Sequence, residues 1–452
     1  MKREKISLKS EKRKREAARI AGVAVLLLAA LCVAFALWLR AEFRTPGSAW
    51  ARQPVLLRIH LLLWGEPSAN FEPLPARRDP ASALPLLRLQ APPEILLHER
   101  QKGVVSVAEA GAYDLPATAM QIMGRGNSTW EGKQKRPYQL RFDAPVGLLG
   151  MGAARKWILL ADALDKSLLR PVIAHKIGEF IGIDWVPAIR PVELEINGSY
   201  WGVCLLTEKV EVSPERLALP AGSVLLRADV RADPSASWAL GQGVRIEPES
   251  PAWGEMNDDA RNRIQQQLSA IDEAVYHGNP GAWMEYFDLD ALVNWFLLEE
   301  LCNNLDSALM ASVYFSLSPE GKLRFCTIWD FDLSMANTGV QGLPAYTGWA
   351  TALNGRGWFA NLTQRPEFMA LVQARYAELV AQGVYAQIDA WITEAADTLA
   401  VPQRTNYQAW PITEDLPLEV YFTGDWEENV QYVRDYFVQR RAWLDGELAE
   451  DG

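Results

Sequence analysis

Cysteine and histidine are both scarce in this chain, which has four of each among 452 residues. Cys32 lies in a long apolar run, and Cys204, Cys302 and Cys326 occur in separate apolar segments without a C-x-x-C pair. This spacing argues against a zinc site and leaves buried free thiols or one disulfide as the alternatives for the three later cysteines. The few histidines give little support to metal or triad chemistry based on imidazole.

The chain also lacks internal repeats, low-complexity tracts and an excess of positive charge. Its formal net charge is −11, and its first 19 residues carry nine basic and three acidic side chains. Subtracting the +6 of this tail from −11 leaves −17 on the remainder. A body this acidic argues against nucleic acid or anionic lipid as a partner and favours a basic or neutral protein substrate.

One long apolar segment, residues 20–39, contains no charged side chain. A helix of this length, at about 1.5 Å per residue, can cross a hydrocarbon layer, and no small-residue cleavage site follows it. We therefore expect a retained transmembrane helix, with a cleaved signal peptide as the alternative. The basic tail before it predicts an N-terminus in the cytoplasm and a single pass through the cytoplasmic membrane, with the C-terminal domain extracytoplasmic.

The chain divides into segments of different composition. Residues 1–19 are the basic cytoplasmic tail, residues 40–53 a stalk, residues 54–118 a β-rich extension, and residues 119–446 the main domain. Within the main domain, β-prone segments come first and helical patterns dominate later. This order predicts an α+β fold.

Strands and helices are predicted from periodicity and from their boundary residues. In the first helix, Ser167 is the expected N-cap and Gly182 the residue beyond the end. The last two strands are joined at Asn197-Gly198, a strong hairpin signal. The predicted strands are 119–123, 138–142, 192–196 and 201–207, and the predicted helices are 166–181, 258–276, 289–301, 365–380 and a closing helix through 430–444.

A predicted β-hairpin with a Ser-Pro-Glu-Gly turn separates two acids, Asp306 before it and Asp330 after it. With Leu317 opposite Lys322 across the turn and about 3.3 Å per residue, the two carboxylates are expected within roughly 10 Å of each other. The strands of this hairpin are residues 313–317 and 323–329. This spacing suits a metal ion and a reacting hydroxyl between the two acids.

Asp332 adds a third acid two residues after Asp330, and in an extended segment these two side chains share one face. Carboxylate clusters without nitrogen or sulfur ligands favour hard cations such as Mg²⁺ or Mn²⁺. The sequence therefore predicts a metal site at Asp330 and Asp332. The alternative is that each aspartate caps a helix or a turn.

A glycine-rich segment, GRGNSTW at residues 124–130, lies between two predicted strands. Its two glycines allow backbone N–H groups to approach phosphate oxygens, and Ser128 and Thr129 add hydroxyl donors. Lys135, shortly after it, can supply a positive charge. The segment indicates phosphate binding, with a simple turn as the alternative.

Six motifs occur in a fixed order: GRGNSTW, KRPYQLRFD, LADALDKSLLRPVIAHKIGEFIG, NGSYWGVCLLTEKVE, NNLDS and WDFDLSMAN. Together they resemble the CotH family of spore-coat-type atypical protein kinases, over about residues 119–444. The resemblance implies a two-lobe, protein-kinase-like fold with a β-rich N-lobe and a helical C-lobe. It also implies binding of ATP with Mg²⁺ or Mn²⁺ and phosphorylation of Ser or Thr on a secreted or envelope protein.

The resemblance also implies the roles of individual residues. Asp306 matches the catalytic-loop acid, and Asp330 matches the metal-binding acid that acts as the DFG aspartate. The implied nucleotide- or phosphate-binding residues are Arg125, Asn127, Ser128, Lys135, Glu208 and Lys209. In two departures, Ala311 occupies the place of the second metal-binding Asn of protein kinases, and Pro171 stands where relatives commonly carry Asn.

Three functions are compatible with these patterns. The first is a membrane-anchored extracytoplasmic kinase. The second is a catalytically silent binding or adhesion module of the cell envelope, favoured by the scarcity of ATP outside the cytoplasm and by Ala311. The third is a metal-dependent hydrolase built on the three aspartates, which the lack of histidine after the cluster disfavours.

Overall fold

A computed structural model describes residues 76–126, 129–130, 135–337, 345–412 and 424–449, with positions 35, 38, 69 and 70. The chain divides into two compact units, Met1–Pro67 and Ser68–Gly452. In the first, Phe35 and Trp38 lie in a helix with ring centroids 5.7 Å apart. The predicted basic tail, the stalk and most of the transmembrane segment lie outside the described residues. No helix in the described part of the chain is long and apolar enough to cross a membrane.

Nine strands occupy the first part of the second unit. They are β1 (Ala69–Asn70), β2 (Leu86–Gln90), β3 (Glu94–Ile95), β4 (Gln101–Ala108), β5 (Leu115–Gly124), β6 (Tyr138–Val146), β7 (Ala154–Leu160), β8 (Ile189–Ile196) and β9 (Ser199–Glu208). Strands β1 and β3 pair with each other, and the others close into a barrel in the order β2-β4-β5-β6-β7-β9-β8. Only β2 and β8 pair in parallel within this barrel. Closure leaves the barrel without an unpaired edge strand.

The barrel confirms the strands predicted in this region, because each predicted segment lies within β5, β6, β8 or β9. At the β8–β9 turn, Asn197 and Gly198 have φ angles of 52° and 80°, the left-handed conformations that a two-residue hairpin requires. Apolar residues at alternate positions, such as Leu87 and Leu89 of β2, fill the barrel interior. The boundary expected between residues 118 and 119 falls inside β5.

A second, five-stranded sheet follows the barrel strands in the chain, and so do all the helices except the first, which lies between β7 and β8. The strands are β10 (Val224–Ala228), β11 (Trp238–Ala239), β12 (Arg245–Ser250), β13 (Val313–Leu317) and β14 (Leu323–Arg324), in the order β11-β12-β10-β13-β14. The helices are α1 (Arg170–Ile181), α2 (Asp258–Tyr276), α3 (Leu289–Cys302), α4 (Phe359–Leu362), α5 (Pro366–Ala381), α6 (Val384–Leu399), α7 (Pro402–Ala409) and α8 (Trp426–Glu447). The mixed α+β class is therefore confirmed.

Most of the helices share one large apolar core with the second sheet, whereas α7 packs on the barrel. Helix α3 is buried along most of its length, and its Trp295 stacks on Phe325 with ring centroids 4.5 Å apart. Cys204, Cys302 and Cys326 are buried and free, which confirms the first of the two alternatives for these cysteines. Burial among apolar neighbours accounts for their apolar sequence context.

Helix α1 begins at Arg170, so the start predicted at residue 166 and the N-cap predicted at Ser167 were wrong. The N-cap is Leu169, and the carboxylate of Asp165 accepts hydrogen bonds from the N–H groups of Leu169 (2.9 Å) and Arg170 (2.7 Å). This carboxylate holds the preceding residues in a turn. The predicted end is confirmed, because Gly182 is the C-cap with φ 93°.

The hairpin before Asp330 is shorter than predicted and shifted by one residue. Leu317 pairs with Leu323 rather than with Lys322, and the second strand ends at Arg324. The loop is longer by one residue because the N–H of Ser318 bonds to the carbonyl of Lys322 at 2.9 Å. Beyond Arg324 the chain turns into the apolar core, where Phe325 meets Trp295.

Candidate functional site

One cavity of about 410 Å³ brings together acids from distant parts of the chain. Its other walls include apolar residues at the end of β7, in the loop after it and at the start of α1, such as Leu160, Leu164 and Pro171. The acids that line it are Asp162, Asp229, Asp306, Asp330 and Asp332. The structure therefore places all three sequence-predicted aspartates at one cavity, with two further acids beside them.

Asp306 lies in a 3₁₀ turn, Leu305–Ser307, directly after α3. Helix α3 ends at Asn303 in the left-handed conformation, and the side chain of Asn304 accepts a hydrogen bond from the N–H of Asp306 at 3.4 Å. Burial raises the pKa of Asp306 to about 7, the negative charge of Asp330 adds to this effect, and Arg231 opposes it. A carboxyl with this pKa can act as a base near neutral pH.

Asp330 has a φ angle of 71°, a conformation that is unfavourable for a residue with a side chain. Two contacts hold it there: its Oδ2 accepts a hydrogen bond from the hydroxyl of Ser312 at 3.0 Å, and its carbonyl accepts one from the side chain of Asn304 at 3.4 Å. Asp330 therefore reaches the cavity through a strained turn and not through the strand register that the sequence suggested. Strain of this kind concentrates at functional sites.

Arg125 lines the same cavity, with its guanidinium 5.5 Å from the centroid of the Trp329 ring. Burial lowers the pKa of Arg125, and the charge of Asp330 opposes that shift. Arg125 forms no ion pair with any residue that the structure describes. Its positive charge is available to an anionic ligand.

The glycine-rich segment is only partly described, because Asn127 and Ser128 lie outside the described residues. Gly126 lines the cavity with φ 91°, as expected of a loop that approaches a ligand. Gly124 has a different role, since a Cβ atom at this position would lie 2.2 Å from the buried ring of Trp130. This first glycine allows the loop to pack on the barrel core.

Three of the residues implied to bind nucleotide do not line this cavity. The ammonium of Lys135 is buried and donates to the carbonyl of Val203 at 2.5 Å and to Oδ1 of Asn406 at 3.0 Å, joining the barrel to α7. Burial lowers the pKa of Lys135. Contacts of this kind are structural, and they leave Lys135 without the exposed charge that the sequence suggested.

Glu208 and Lys209 lie at the end of β9. Glu208 accepts a hydrogen bond from the N–H of Ala188 at 2.9 Å, a contact within the barrel. Lys209 lines an adjoining cavity of about 400 Å³, which shares Arg125 and Trp329 with the first. Lys209 therefore lies in a cavity that shares Asp229 with the first but does not include Asp306, Asp330 or Asp332.

Asp162 is the site residue that the sequence reasoning missed. It follows β7 by two residues, has φ 51° and is 6% exposed, and neither of its carboxylate oxygens has a hydrogen-bond partner. Burial raises its pKa well above the usual range, the charge of Asp165 adds to this, and Lys135 opposes it. The only sequence signal was its place in the LADALDKS motif.

The acids are not arranged as one three-carboxylate cluster. Among the described residues, no group of three or more His, Cys, Asp or Glu side chains is close enough to hold a metal ion. A cation at this site would need further ligands from its partner molecule, as Mg²⁺ commonly obtains from phosphates and water.

Comparison with known proteins identifies one family. A protein-family model described as CotH kinase protein matches residues 122–444. No curated protein matches the chain. The matched region begins within β5 and ends within α8, and it includes every residue of the cavity described above.

Proposed function

The chain belongs to the CotH kinase protein family, and on this premise we propose that it transfers the terminal phosphate of ATP to Ser or Thr of a secreted or envelope protein, with Mg²⁺ or Mn²⁺. The observation that carries the proposal is the shared cavity of Asp306, Asp330 and Arg125. Phosphoryl transfer needs little more from a protein than positioning, neutralisation of charge and a carboxylate near the attacking hydroxyl.

The residues present fit ATP and a divalent cation. Asp330 and Asp332 offer only oxygen ligands, the type that Mg²⁺ and Mn²⁺ prefer. Arg125 can offset phosphate charge, and the apolar wall near Leu164 and Pro171 suits the less polar end of a nucleotide. A volume of about 410 Å³ is within the usual range for small-molecule pockets.

The proposed roles follow from these positions. Bound ATP with its cation supplies the phosphoryl group. Asp306 would accept a hydrogen bond from the acceptor hydroxyl and orient its oxygen toward the terminal phosphorus of ATP, where a new P–O bond forms as the bond to the bridging oxygen breaks and ADP leaves. The hydroxyl proton passes to Asp306 or to water. Asp330, fixed by Ser312, holds its carboxylate in one orientation for the cation.

The direct test uses the purified full-length chain, ATP labelled on its terminal phosphate, Mn²⁺ and a Ser-rich basic protein acceptor. We expect label on the acceptor with wild type and none above background with Asp306→Asn. Asp143→Asn, an exposed acid on β6, is the matched control and should behave as wild type. No transfer by wild type, or equal transfer by Asp306→Asn, would contradict the proposal.

We also propose that residues 20–39 anchor the chain in the cytoplasmic membrane with the kinase domain outside. The charge-free length of this segment and the basic tail before it support this. Protease added to intact cells should then degrade the kinase domain and leave the N-terminal tail protected. A kinase domain that stays protected until the cells are lysed would contradict this arrangement.

A catalytically silent binding module is the second candidate. Two observations favour it: Lys135 is buried in protein contacts, and Ala311 lines the cavity without a ligand atom in its side chain. Such a module would bind its partner regardless of nucleotide. Measurable binding of ATP with Mn²⁺ followed by transfer to an acceptor would exclude it.

A further inference from the structure

The two aspartates of the WDFD motif have different neighbours, and this difference extends the proposed function. Oδ2 of Asp330 accepts a hydrogen bond from the hydroxyl of Ser312. Asp332 lies beside the loop that contains Asp162, because the side chain of Asn337 donates hydrogen bonds to the carbonyls of both Asp332 and Leu164. Asp162 and Asp332 therefore line the cavity from adjoining segments.

Asp162 is a buried carboxylate without a partner. It is 94% buried in the cavity wall, and both of its oxygens lack hydrogen bonds. The positive charge of Lys135 lowers the pKa of Asp162. The ammonium of Lys135 nevertheless donates its hydrogen bonds to Val203 and Asn406 and forms no ion pair with Asp162. Buried carboxylates are normally paired, hydrogen-bonded or bound to a metal ion. Asp162 thus lacks the group that would complete its surroundings.

Asp165, three residues later, does have hydrogen-bond partners. Its two oxygens accept hydrogen bonds from Ser167, Leu169 and Arg170. The same loop therefore satisfies one aspartate completely and leaves the other, in the cavity wall, without a hydrogen-bond donor, so a shortage of local donors does not explain why Asp162 has no partner.

We propose that Asp162, together with Asp332, is the carboxylate site for a second divalent cation, Mg²⁺ or Mn²⁺, which bridges to the phosphates of the nucleotide. This inference rests on the proposed function. Asp162 takes the place of the second-metal residue that Ala311 cannot supply, because an alanine side chain has no ligand atom. Phosphate oxygens and water complete the coordination, as is usual for Mg²⁺.

The test counts the Mn²⁺ ions bound by the full-length chain in the presence of a non-hydrolysable ATP analogue, from the loss of the free Mn²⁺ signal in electron paramagnetic resonance. Wild type and the surface control Asp143→Asn should bind two ions. Asp162→Asn, Asp332→Asn and the double variant should each bind one, because both residues serve the same ion. Asp330→Asn should also bind one, having lost the other ion.

Each outcome decides the proposal. Two ions bound by Asp162→Asn would overturn it, and a wild type that binds one ion would overturn it while leaving the proposed function intact. A wild type that binds neither Mn²⁺ nor the analogue would overturn both. Without metal, Asp162→Asn should melt no lower than wild type, since its carboxylate makes no hydrogen bond to lose. If it melts lower, the count for Asp332→Asn decides: one ion supports the proposal and two overturn it.

Discussion

Buried acids in this protein are of two kinds, and the loop from Asp162 to Asp165 contains one of each. Asp165 accepts five hydrogen bonds, from the N–H groups of Ser167, Leu169 and Arg170, the hydroxyl of Ser167 and the guanidinium of Arg170. Asp162 accepts none. Residue type and burial are the same, so the difference lies in what each carboxylate is bonded to in the folded chain.

Glu300 and Asp306 repeat this contrast around the end of α3. Glu300 is fully buried, pairs with Arg440 at 2.7 Å and accepts hydrogen bonds from Ala350 and Thr351. The Asp306 carboxylate accepts no hydrogen bond from the described residues, and the charges of Asp330 and Arg231 have the largest effects on its pKa after burial. We call an acid saturated when its carboxylate is hydrogen-bonded within the protein, as in Asp165 and Glu300, and open when it accepts no hydrogen bond from the part of the chain that the structure describes, as in Asp162 and Asp306. The saturated acids stabilise the fold, whereas the open acids at the cavity remain available to a ligand.

The largest expected effect is on activity. Asp306→Asn should lower the rate of phosphate transfer by about 10²- to 10⁴-fold, the usual contribution of a positioned acid or base. Its free energy of unfolding should stay equal to that of wild type or rise, because the variant removes a buried charge that faces Asp330. Steady-state kinetics and chemical denaturation measure the two quantities, and a large loss of stability would place Asp306 among the structural acids.

The same substitution at a saturated acid should have the opposite result. Asp165→Asn should lower the free energy of unfolding by about 3 to 5 kcal/mol, because it leaves the buried guanidinium of Arg170 without its carboxylate. Denaturant titration followed by circular dichroism tests this. A variant as stable as wild type would mean that the hydrogen bonds of Asp165 do not contribute to the fold as described.

A buried histidine makes the stability of the fold depend on pH. His175 lines the cavity, its Nδ1–H donates to the carbonyl of Pro187 at 2.7 Å, and burial lowers its pKa from 6.5 to about 4. Between pH 6.5 and pH 4 the unfolded chain therefore binds more protons at this histidine than the folded chain does. The contribution of neutral His175 to the free energy of unfolding is present above about pH 6.5 and is lost as the pH falls toward 4. From pH 7 to pH 5, wild type should lose about 2 kcal/mol more than His175→Asn. Equal losses in denaturation curves would contradict this.

An exposed ion pair should matter least. Arg88 and Glu195 meet at 3.1 Å between neighbouring barrel strands, with 48% and 25% of their side chains exposed. Arg88→Gln should change the free energy of unfolding by less than about 1 kcal/mol, since solvent screens such pairs. A larger loss in the same denaturation assay would show that the contrast between saturated and open acids is not the main determinant of charge effects here.

Local sequence patterns predicted much of this structure. Four of the seven barrel strands (β5, β6, β8 and β9), the Asn197-Gly198 turn and helix α2 follow from patterns within a few residues, and these were predicted. Asp306 and Asp330 were also identified, although the predicted register was wrong by one residue. That error came from loop length, because a five-residue loop and a four-residue turn suit the same Ser-Pro-Glu-Gly sequence.

The missed or displaced residues depend on distant partners. Lys135 is held by Asn406, 271 positions later, and no local pattern indicates such a contact. Asp162 is unusual only because nothing in the folded chain bonds to it, a property that the sequence does not contain. The closed barrel was likewise not predicted, since its closure depends on the parallel pairing of β2 with β8.

The most direct test of the central claim is a calorimetric titration of the full-length chain with ATP and Mn²⁺, for wild type, Asp330→Asn and the surface control Asp143→Asn. Wild type and the control should bind the nucleotide with equal affinity, and Asp330→Asn should bind at least about tenfold more weakly, because one ligand of the cation is lost. Heats that show no binding to wild type, or the same affinity in Asp330→Asn, would contradict the assignment of this cavity as the nucleotide site.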